Sequence, residues 1–304
     1  MTAVCVVGSL NMDLVIKAPR LPARGETVTE GEFAVFRGGK GANQAVAAAR
    51  LGAQVSMIGC VGDDLFGRQL LNGLRGERIE TRAVRVDRGA PSGVALITVD
   101  PAGHNTIVVA PGANRRLTAS DVDAGREAIA QADVVLAQLE VPMEAVLQAA
   151  RLGRAQGRPF VLDPAPAAPL PAELYECVSL INPNEGEAQR LTGIDVDDEA
   201  GVRAAAEILL ARGSGGVVIK LGEKGAFVAA GGTREMVEGV KVQAVDTTAA
   251  GDAFAAALAV ALAEGRDVVA ATRFANLVGA MSVTRMGAQA SMPTRDEVAA
   301  LAPR

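Results

Sequence analysis

Short runs of apolar residues recur along the first two thirds of the chain, and segments with a helical spacing of apolar positions separate them. The runs are nearly continuous and rich in Val, Leu and Ile, which is typical of strands buried on both faces of a sheet. They lie at 4–8, 55–59, 133–140, 159–164, 178–184 and 216–222. The helical patterns lie at 42–52, 118–132, 143–157 and 198–213. This alternation predicts an α/β fold with three layers, α/β/α, around a mainly parallel sheet.

Two segments interrupt this alternation, residues 14–38 and residues 92–111. The second alternates apolar and polar positions around the sequence DPAG at 100–103, which predicts an antiparallel hairpin. We expect both segments to form a small β lid, within a single catalytic domain that spans 1–304. From about residue 245 the chain is rich in Ala and predicts mostly helices, with a further helix over the final residues.

Composition narrows the classes of function. The net charge is −5 and the pI is about 5.2, which disfavours a nucleic-acid partner that would require phosphate neutralisation. No apolar run approaches the ~20 residues that cross a bilayer, and the N-terminus lacks the features of a secretory signal. Cys5, Cys60 and Cys177 are odd in number and lie in apolar segments, which indicates reduced core cysteines. We therefore expect a cytoplasmic protein that acts on small molecules.

The sequence DTTAAGDAF at 246–254 places a lone carboxylate, Asp252, at the predicted start of a helix. Small residues there leave the unpaired N-terminal amides accessible to an anion such as a phosphate. A carboxylate at that point would repel the anion, so a general base that takes a proton from a substrate hydroxyl is a consistent interpretation. The alternative is an acidic residue that only favours the helix dipole.

Two further motifs carry polar groups before helices. In FRGGKGANQ at 36–44, paired glycines permit close backbone approach to a ligand, although a simple turn explains them as well. The motif is not a phosphate-binding P-loop, and no dinucleotide fingerprint follows the first strand. In NPNEGE at 182–187, Asn184 and Glu187 are three residues apart. They fit either a Mg²⁺ ion held through its waters or a capped helix start.

These residues resemble the ribokinase-like carbohydrate kinases, the PfkB family, over essentially the whole chain. The N-terminal signature of that family is similar to 38–43, continued by Gly52 and Gly62, and its C-terminal signature is similar to 246–252. Ala249 stands where many members have glycine, from which we infer that this position does not need a conformation reserved for glycine.

The resemblance implies the roles of individual residues. Asp252 would be the catalytic base, with an anion hole from the amides of Ala249, Ala250, Gly251 and Asp252. Sugar-binding positions would be Asn11, Met12, Asp13, Gly39, Lys40, Gly41, Ala42, Asn43, Glu140 and Asp252. Nucleotide-binding positions would be Asn184, Glu187, Lys220, Leu221, Gly222, Glu223, Lys224, Gly225, Gly251 and Asn276, with Glu187 near Mg²⁺. A monovalent-cation site for K⁺ would be formed by Asp246, Thr248, Ser282, Arg285, Gly287 and Ser291, although a helix-to-loop exit explains the last four as well.

The function implied by the resemblance is ATP-dependent phosphorylation of D-ribose at its 5-hydroxyl, in a homodimer formed through the lid. Asn11 is the position expected to distinguish ribose from deoxyribose. The alternatives are a related kinase for 2-deoxyribose, a ketose or a nucleoside, a non-catalytic sugar-binding protein with the same fold, and an oxidoreductase of similar architecture. The presence of Asp252 and Gly251 argues against the non-catalytic alternative.

Overall fold

The computed structural model describes residues 2–301 and contains two β-sheets with helices around the larger one. The strands are β1 (Ala3–Val7), β2 (Asn11–Lys17), β3 (Glu32–Gly38), β4 (Gln54–Gly62), β5 (Val84–Asp87), β6 (Gly93–Val99), β7 (Asn105–Ala110), β8 (Val134–Ala137), β9 (Phe160–Leu162), β10 (Leu180–Ile181), β11 (Gly216–Lys220), β12 (Gly225–Ala230) and β13 (Thr233–Glu238). The helices are α1 (Lys40–Arg50), α2 (Leu65–Gly76), α3 (Ala119–Ala124), α4 (Arg126–Gln131), α5 (Met143–Ala155), α6 (Ala172–Cys177), α7 (Glu185–Thr192), α8 (Glu199–Ala211), α9 (Ala250–Ala263), α10 (Val268–Ser282), α11 (Ala288–Ser291) and α12 (Arg295–Leu301). Short 3₁₀ helices occupy Gly112–Arg116 and Gly222–Lys224.

The larger sheet has nine strands in the order β13-β12-β11-β10-β9-β8-β1-β4-β5. The seven strands from β11 to β5 pair in parallel, whereas β12 and β13 add an antiparallel edge. Alternate residues of β1 enter different cores, because successive side chains of a strand point to opposite faces. Val4 and Val6 pack in the core that includes α1, α9 and α10, whereas Cys5 and Val7 pack in the core that includes α5 and α8.

The predicted three-layer fold with a mainly parallel sheet is therefore confirmed. The predicted strands 133–140 and 178–184 are too long, since β8 ends at Ala137 and β10 ends at Ile181. The first residue after each strand is polar, Gln138 after β8 and Asn182 after β10. The single helix predicted over 118–132 is also wrong, because Gly125 separates it into α3 and α4.

The smaller sheet has four strands in the order β3-β2-β6-β7. Three of them lie within the two segments that interrupted the alternation, whereas β2 begins at Asn11, three residues before the first segment. The predicted hairpin is confirmed: β6 and β7 pair antiparallel around a turn in which Gly103 has a φ of 86°. The single-domain boundaries stay a prediction, and Met1 and residues 302–304 lie outside the described residues. Along the described part of the chain, no helix is long and apolar enough to span a membrane. Cys5, Cys60 and Cys177 are buried and free.

Candidate active site

Polar residues lie at the ends of four neighbouring strands at the carboxyl edge of the parallel sheet, where open α/β sheets bind their ligands. Gln138 follows β8, Asp163 follows β9, Asn182 follows β10, and Lys220 is the last residue of β11. The N-termini of α1 and α9 meet at this edge, because a side chain of α1 bonds both Asp163 and Asp252 of α9. The candidate active site lies between these elements.

Asp252 lies in the first turn of α9, and only 4% of its surface is exposed. Both of its carboxylate oxygens accept a hydrogen bond from a side-chain amide, Oδ2 from Asn43 at 2.9 Å and Oδ1 from Gln44 at 3.1 Å. Burial raises its pKa to about 6, while the charge of Lys40 opposes the shift. A carboxylate with this pKa is mostly ionised at neutral pH, and its pKa is close enough to that pH for it to accept a proton in a reaction.

The start of α9 leaves backbone donors available beside Asp252. Ala249 is the N-cap and provides no side-chain cap, and the first intrahelical bond runs from Ala253 N to Ala249 O. The amide of Ala250 donates to Thr247 O at 3.3 Å, so the donors without a helical partner are those of Gly251 and Asp252.

The inference that Ala249 avoids a glycine-type conformation is wrong. Its φ is 60° and its ψ is 14°, which is the left-handed helical region. A β-carbon in this region costs about 1–2 kcal/mol, and such strain is typical of functional sites. This residue directly precedes α9, whose amides at Gly251 and Asp252 have no helical partner.

Asn11 and Asp13 project from the same face of β2, since they are two residues apart. Asn11 Oδ1 accepts a hydrogen bond from Asn114 Nδ2 at 2.8 Å, and Asn114 also bonds both backbone groups of Leu10. Burial raises the pKa of Asp13 to about 7, and the charges of Glu140 and Asp252 add to the shift. Asp13 therefore faces the same cluster as the candidate base.

The paired glycines before α1 leave no room for a β-carbon at either position. A β-carbon on Gly38 would overlap the carboxylate of Asp13. Gly39 has a φ of 87°, and a β-carbon there would lie 2.6 Å from the backbone nitrogen of Asn11. These contacts bring α1 against the first residues of β2, so the turn interpretation alone does not account for the motif.

Glu140 links the start of α1 to the end of β1. Its Oε2 accepts hydrogen bonds from Ser9 Oγ at 2.5 Å and from the backbone nitrogen of Lys40 at 3.1 Å. Lys40, the first residue of α1, has its pKa raised mainly by the negative charge of Asp252. The predicted sugar-binding residues Met12, Gly41 and Ala42 are buried beside these groups.

Asn184 and Glu187 form a capping box at the start of α7. Asn184 Oδ1 accepts from Glu187 N and Glu187 Oε2 accepts from Asn184 N, both at 2.8 Å. The capped-helix reading is thus confirmed. Burial nevertheless raises the pKa of Glu187, and the charges of Lys220, Asp163 and Lys40 act on it. Glu187 therefore also faces the site, with one oxygen outside the cap.

The segment predicted to bind nucleotide continues from β11 into β12. Lys220 Nζ forms an ion pair with Asp163 Oδ1 at 2.7 Å, and the next residue, Leu221, is buried. The exposed turn Gly222–Lys224 leads to Gly225, where a β-carbon would overlap the carbonyl of Val237. The predicted residue Glu223 lies within this turn.

Asn276 reaches the same region from α10. Its Nδ2 donates to the carbonyls of Val237 at 3.2 Å and Glu238 at 3.0 Å, which fixes the end of β13 against α10.

The predicted cation site brings two loops together. Asp246 Oδ1 accepts from Thr248 N at 2.9 Å, and Asp246 Oδ2 accepts from Gly287 N at 2.8 Å. Although partial burial opposes the shift, the hydrogen bonds from Thr248 and Gly287 lower the pKa of Asp246. The hydroxyls of Ser282 and Ser291 bond to carbonyls of their own helices, and Arg285 pairs with Glu297. Within residues 2–301, no three His, Cys, Asp or Glu side chains form a metal-binding cluster.

Sequence reasoning missed five residues of the site. They are Ser9, Gln44, Asn114, Gln138 and Asp163, each of which bonds a predicted residue or its immediate partner. A signal existed for three of them, because Gln44 adjoins the glycine-rich motif, and Gln138 and Asp163 directly follow buried strands. Asn114 lies in a loop far from Asn11 in sequence and carries no such signal.

Comparison with known proteins identifies the family of the chain. The family model described as pfkB family carbohydrate kinase matches residues 1–295. The chain belongs to this family of kinases. A ribokinase of Haemophilus influenzae is 44% identical over 292 residues, which are 96% of this chain and 95% of the relative. A deoxyribokinase of Salmonella typhimurium is 38% identical, with 97% of this chain and 96% of the relative covered.

Among solved structures, the Arabidopsis thaliana ribokinase complexed with ribose and ATP has a TM-score of 0.91 to this chain and is 33% identical. The match covers 99% of both chains. The fold of a PfkB kinase therefore extends over both sheets of this chain.

Proposed function

We propose that this PfkB kinase is a ribokinase that transfers the γ-phosphoryl group of ATP to the 5-hydroxyl of D-ribose. The observation that carries the proposal is the buried carboxylate of Asp252 beside the uncapped amides of Gly251 and Asp252. Asp252 takes the proton of the hydroxyl as that oxygen attacks the phosphoryl group. The amides and α9 stabilise the negative charge of the phosphoryl group, and Ala249 and Ala250 shape this anion hole.

The sugar is held by groups that converge from β2, α1 and the end of β8. Asn114 Nδ2 donates to Oδ1 of Asn11. The Nδ2 of Asn11 therefore remains available to donate to a ring hydroxyl of the sugar. Asp13 and Glu140 provide acceptors, and Lys40 and Asn43 provide donors. A buried polar group left unpaired costs about 1–3 kcal/mol, so this pocket discriminates against a sugar that lacks a hydroxyl.

ATP occupies the edge formed by Asn184, the Lys220–Gly225 segment and Asn276. Mg²⁺ would be held through Glu187, whose second oxygen is free of the cap, together with water and phosphate oxygens, which are its usual ligands. When bound, Mg²⁺ neutralises phosphate charge. A K⁺ ion near Asp246, Thr248, Ser282, Arg285, Gly287 and Ser291 would order the loop that leads into α9.

We infer a homodimer that forms through the smaller sheet. Pairing places five side chains on the face opposite to Asn11 and Asp13, since they lie at alternate positions of the strands. These side chains are apolar and exposed, and we call them the apolar face: Ile16, Phe33, Val35, Leu96 and Val108. A second copy would cover this face, because large exposed apolar patches mark interaction sites. The sugar-facing side of the same sheet would act as the lid.

We also infer a cytoplasmic location. Three buried, free cysteines in one chain support it, because thiols stay reduced in that compartment.

A second candidate is a kinase for 2-deoxyribose. The deoxyribokinase relative covers nearly the whole chain and supports this alternative. The two sugars differ by one hydroxyl, and the polar pairing of Asn11 and Asn114 supports ribose.

The test is ADP release with Mg-ATP and potassium against ribose, 2-deoxyribose, fructose, adenosine and pseudouridine. We expect ribose to give the highest kcat/KM. Preference for another substrate would retain the mechanism and overturn the assignment of the sugar pocket. Sugar binding by calorimetry without turnover of any substrate would instead support a non-catalytic binding protein.

A further inference from the structure

A buried amide, Gln44, connects two carboxylates at the reaction site. It lies one turn into α1 and is fully buried. Its Nε2 donates to Asp252 Oδ1 at 3.1 Å and to Asp163 Oδ2 at 2.9 Å. A primary amide nitrogen has two hydrogens, so both are used on carboxylates.

The other end of this amide also has a partner. Gln138 Nε2 donates to Gln44 Oε1 at 2.5 Å. A reversed Gln44 would place its oxygen against two carboxylates and its nitrogen against another nitrogen. The two carboxylates, which only accept at neutral pH, therefore select the orientation in which Gln44 donates to both, and Gln138 donates to the oxygen that remains.

The second carboxylate holds a cation beside the anion hole. Asp163 is buried, and its Oδ1 pairs with Lys220 Nζ at 2.7 Å. The same Nζ lies 3.6 Å from the point that a β-carbon on Gly251 would occupy. The ammonium thus lies against the residue whose amide belongs to the proposed anion hole.

We propose that Gln44 is a positioning residue that ties the base Asp252 to the Lys220 ammonium through Asp163. Base and cation are thereby held in one arrangement, in which the carboxylate faces the sugar hydroxyl and the ammonium faces the transferring phosphoryl group. The inference rests on the proposed function, because it assigns Asp252 as the base.

Gln44 and Asp163 act on the protonation of Asp252 in opposite directions. The hydrogen bond that Gln44 donates to Asp252 favours the ionised carboxylate, because a donor stabilises negative charge. The negative charge of Asp163 favours the protonated carboxyl and raises the pKa of Asp252. The other charged groups that face this cluster are Lys40 of α1, Glu140 after β8, Asp13 of β2, Glu187 of α7, and Lys220 of β11 paired with Asp163.

The experiment measures kcat, KM and the pH dependence of kcat/KM for Gln44→Leu and Asp163→Asn, with the preferred sugar of the panel. We expect Gln44→Leu to lower kcat about 10- to 100-fold with little change in the KM of the sugar. In the pH profile of kcat/KM, the acidic limb of Gln44→Leu should move up by about one pH unit. The acidic limb of Asp163→Asn should move down by a similar amount. A role in folding alone would not produce shifts of opposite sign.

The matched control is Gln131→Leu, which also removes an amide-to-carboxylate bond, to Glu127. Gln131 lies just before β8 at the amino edge of the sheet, so kinetics should stay unchanged. If Gln44→Leu does not fold, Gln44→Asn retains an amide that is too short to bond both carboxylates, and its limb should also move up.

Two outcomes separate the inference from the function. Limbs that move in the same direction, or a Gln44 variant with unchanged kcat and limb, would overturn the positioning role while Asp252 stays the base. Retained turnover in Asp252→Asn would overturn the base assignment, and with it this inference.

Discussion

The two sheets of this kinase differ in how far their side chains are buried. In the nine-stranded sheet, both faces are buried, and three polar residues at its carboxyl edge, Gln138, Asp163 and Lys220, are joined by hydrogen bonds directly or through Gln44. In the four-stranded sheet, β7 is exposed along its whole length, and apolar side chains reach solvent. We infer that the larger sheet fixes the chemistry, whereas the smaller one covers the sugar and binds a second copy.

The largest expected effect in this comparison is the pH dependence of kcat/KM, which tests the role of Asp252 at the edge of the larger sheet. Because Asp252 has a pKa of about 6 and must be ionised to accept a proton, kcat/KM should fall about tenfold per pH unit below 6, or about 100-fold at pH 4. The measurement is the pH–rate profile between pH 4 and 8, with circular dichroism to check the fold.

Asp13 provides the control for that profile, because its pKa of about 7 also lies in this range. The limb near pH 6 should survive in Asp13→Asn, although the KM of the sugar rises. If the limb disappeared in Asp13→Asn, the titration would belong to Asp13 and not to Asp252.

A charge on the apolar face tests the role of the smaller sheet. Leu96 lies in the inner strand β6 and is 54% exposed. We expect Leu96→Glu to weaken the dimer by at least about 30-fold in Kd, because the charge would be desolvated at the interface. Sedimentation over a range of concentrations measures this change.

Leu65→Glu is the matched control, because Leu65 is 59% exposed but lies on α2, outside the smaller sheet. The two variants should differ clearly in their dimer dissociation constants. An equal effect, or a monomeric unmodified chain, would show that the apolar face does not bind a second copy.

Asn114→Ala probes where the two regions meet. It removes the bond that orients Asn11 and two bonds to the backbone of Leu10. The preference for ribose over 2-deoxyribose should fall about tenfold, measured as a ratio of kcat/KM values.

Asn276→Ala serves as its counterpart on the nucleotide side, since Asn276 also bonds two backbone groups, the carbonyls of Val237 and Glu238. It should raise the KM of ATP and leave the sugar ratio intact. If both variants changed the ratio equally, loss of stability rather than orientation of Asn11 would explain it.

The smallest expected effect concerns Ala249. Because its φ is 60°, Ala249→Gly removes strain and should change the free energy of unfolding by no more than about 1 kcal/mol. Ala257→Gly, in the buried middle of α9, should instead destabilise by about 1 kcal/mol or more. Urea unfolding of both variants gives the comparison, and an equal loss would contradict strain at Ala249.

Local sequence patterns predicted the layers, the hairpin and the glycine-rich starts of helices, because these depend on periodicity and backbone freedom. The resemblance to a family favoured one of the two interpretations of Asp252 and added the role of Asn11. Neither predicted that Gln44 would bond two carboxylates or that Asn114 would orient Asn11. Such pairs join residues about a hundred or more positions apart, and only the packing of strands and helices determines which of them meet.

The conformation of Ala249 shows another limit. Alanine rarely adopts a positive φ, so the residue type alone argued for an ordinary backbone. The turn between the loop at 246–248 and α9 nevertheless imposes it. Tertiary constraint therefore overrides local preference at the entrance to the anion hole.

The most direct test of the central claim is the turnover of Asp252→Asn with ribose and Mg-ATP, with ribose binding measured by calorimetry in the same variant. We predict that kcat falls by at least about 10³-fold while ribose still binds, because the amide retains the shape of the side chain but cannot accept the proton. Turnover within tenfold of the unmodified chain would contradict the assignment of Asp252 as the base.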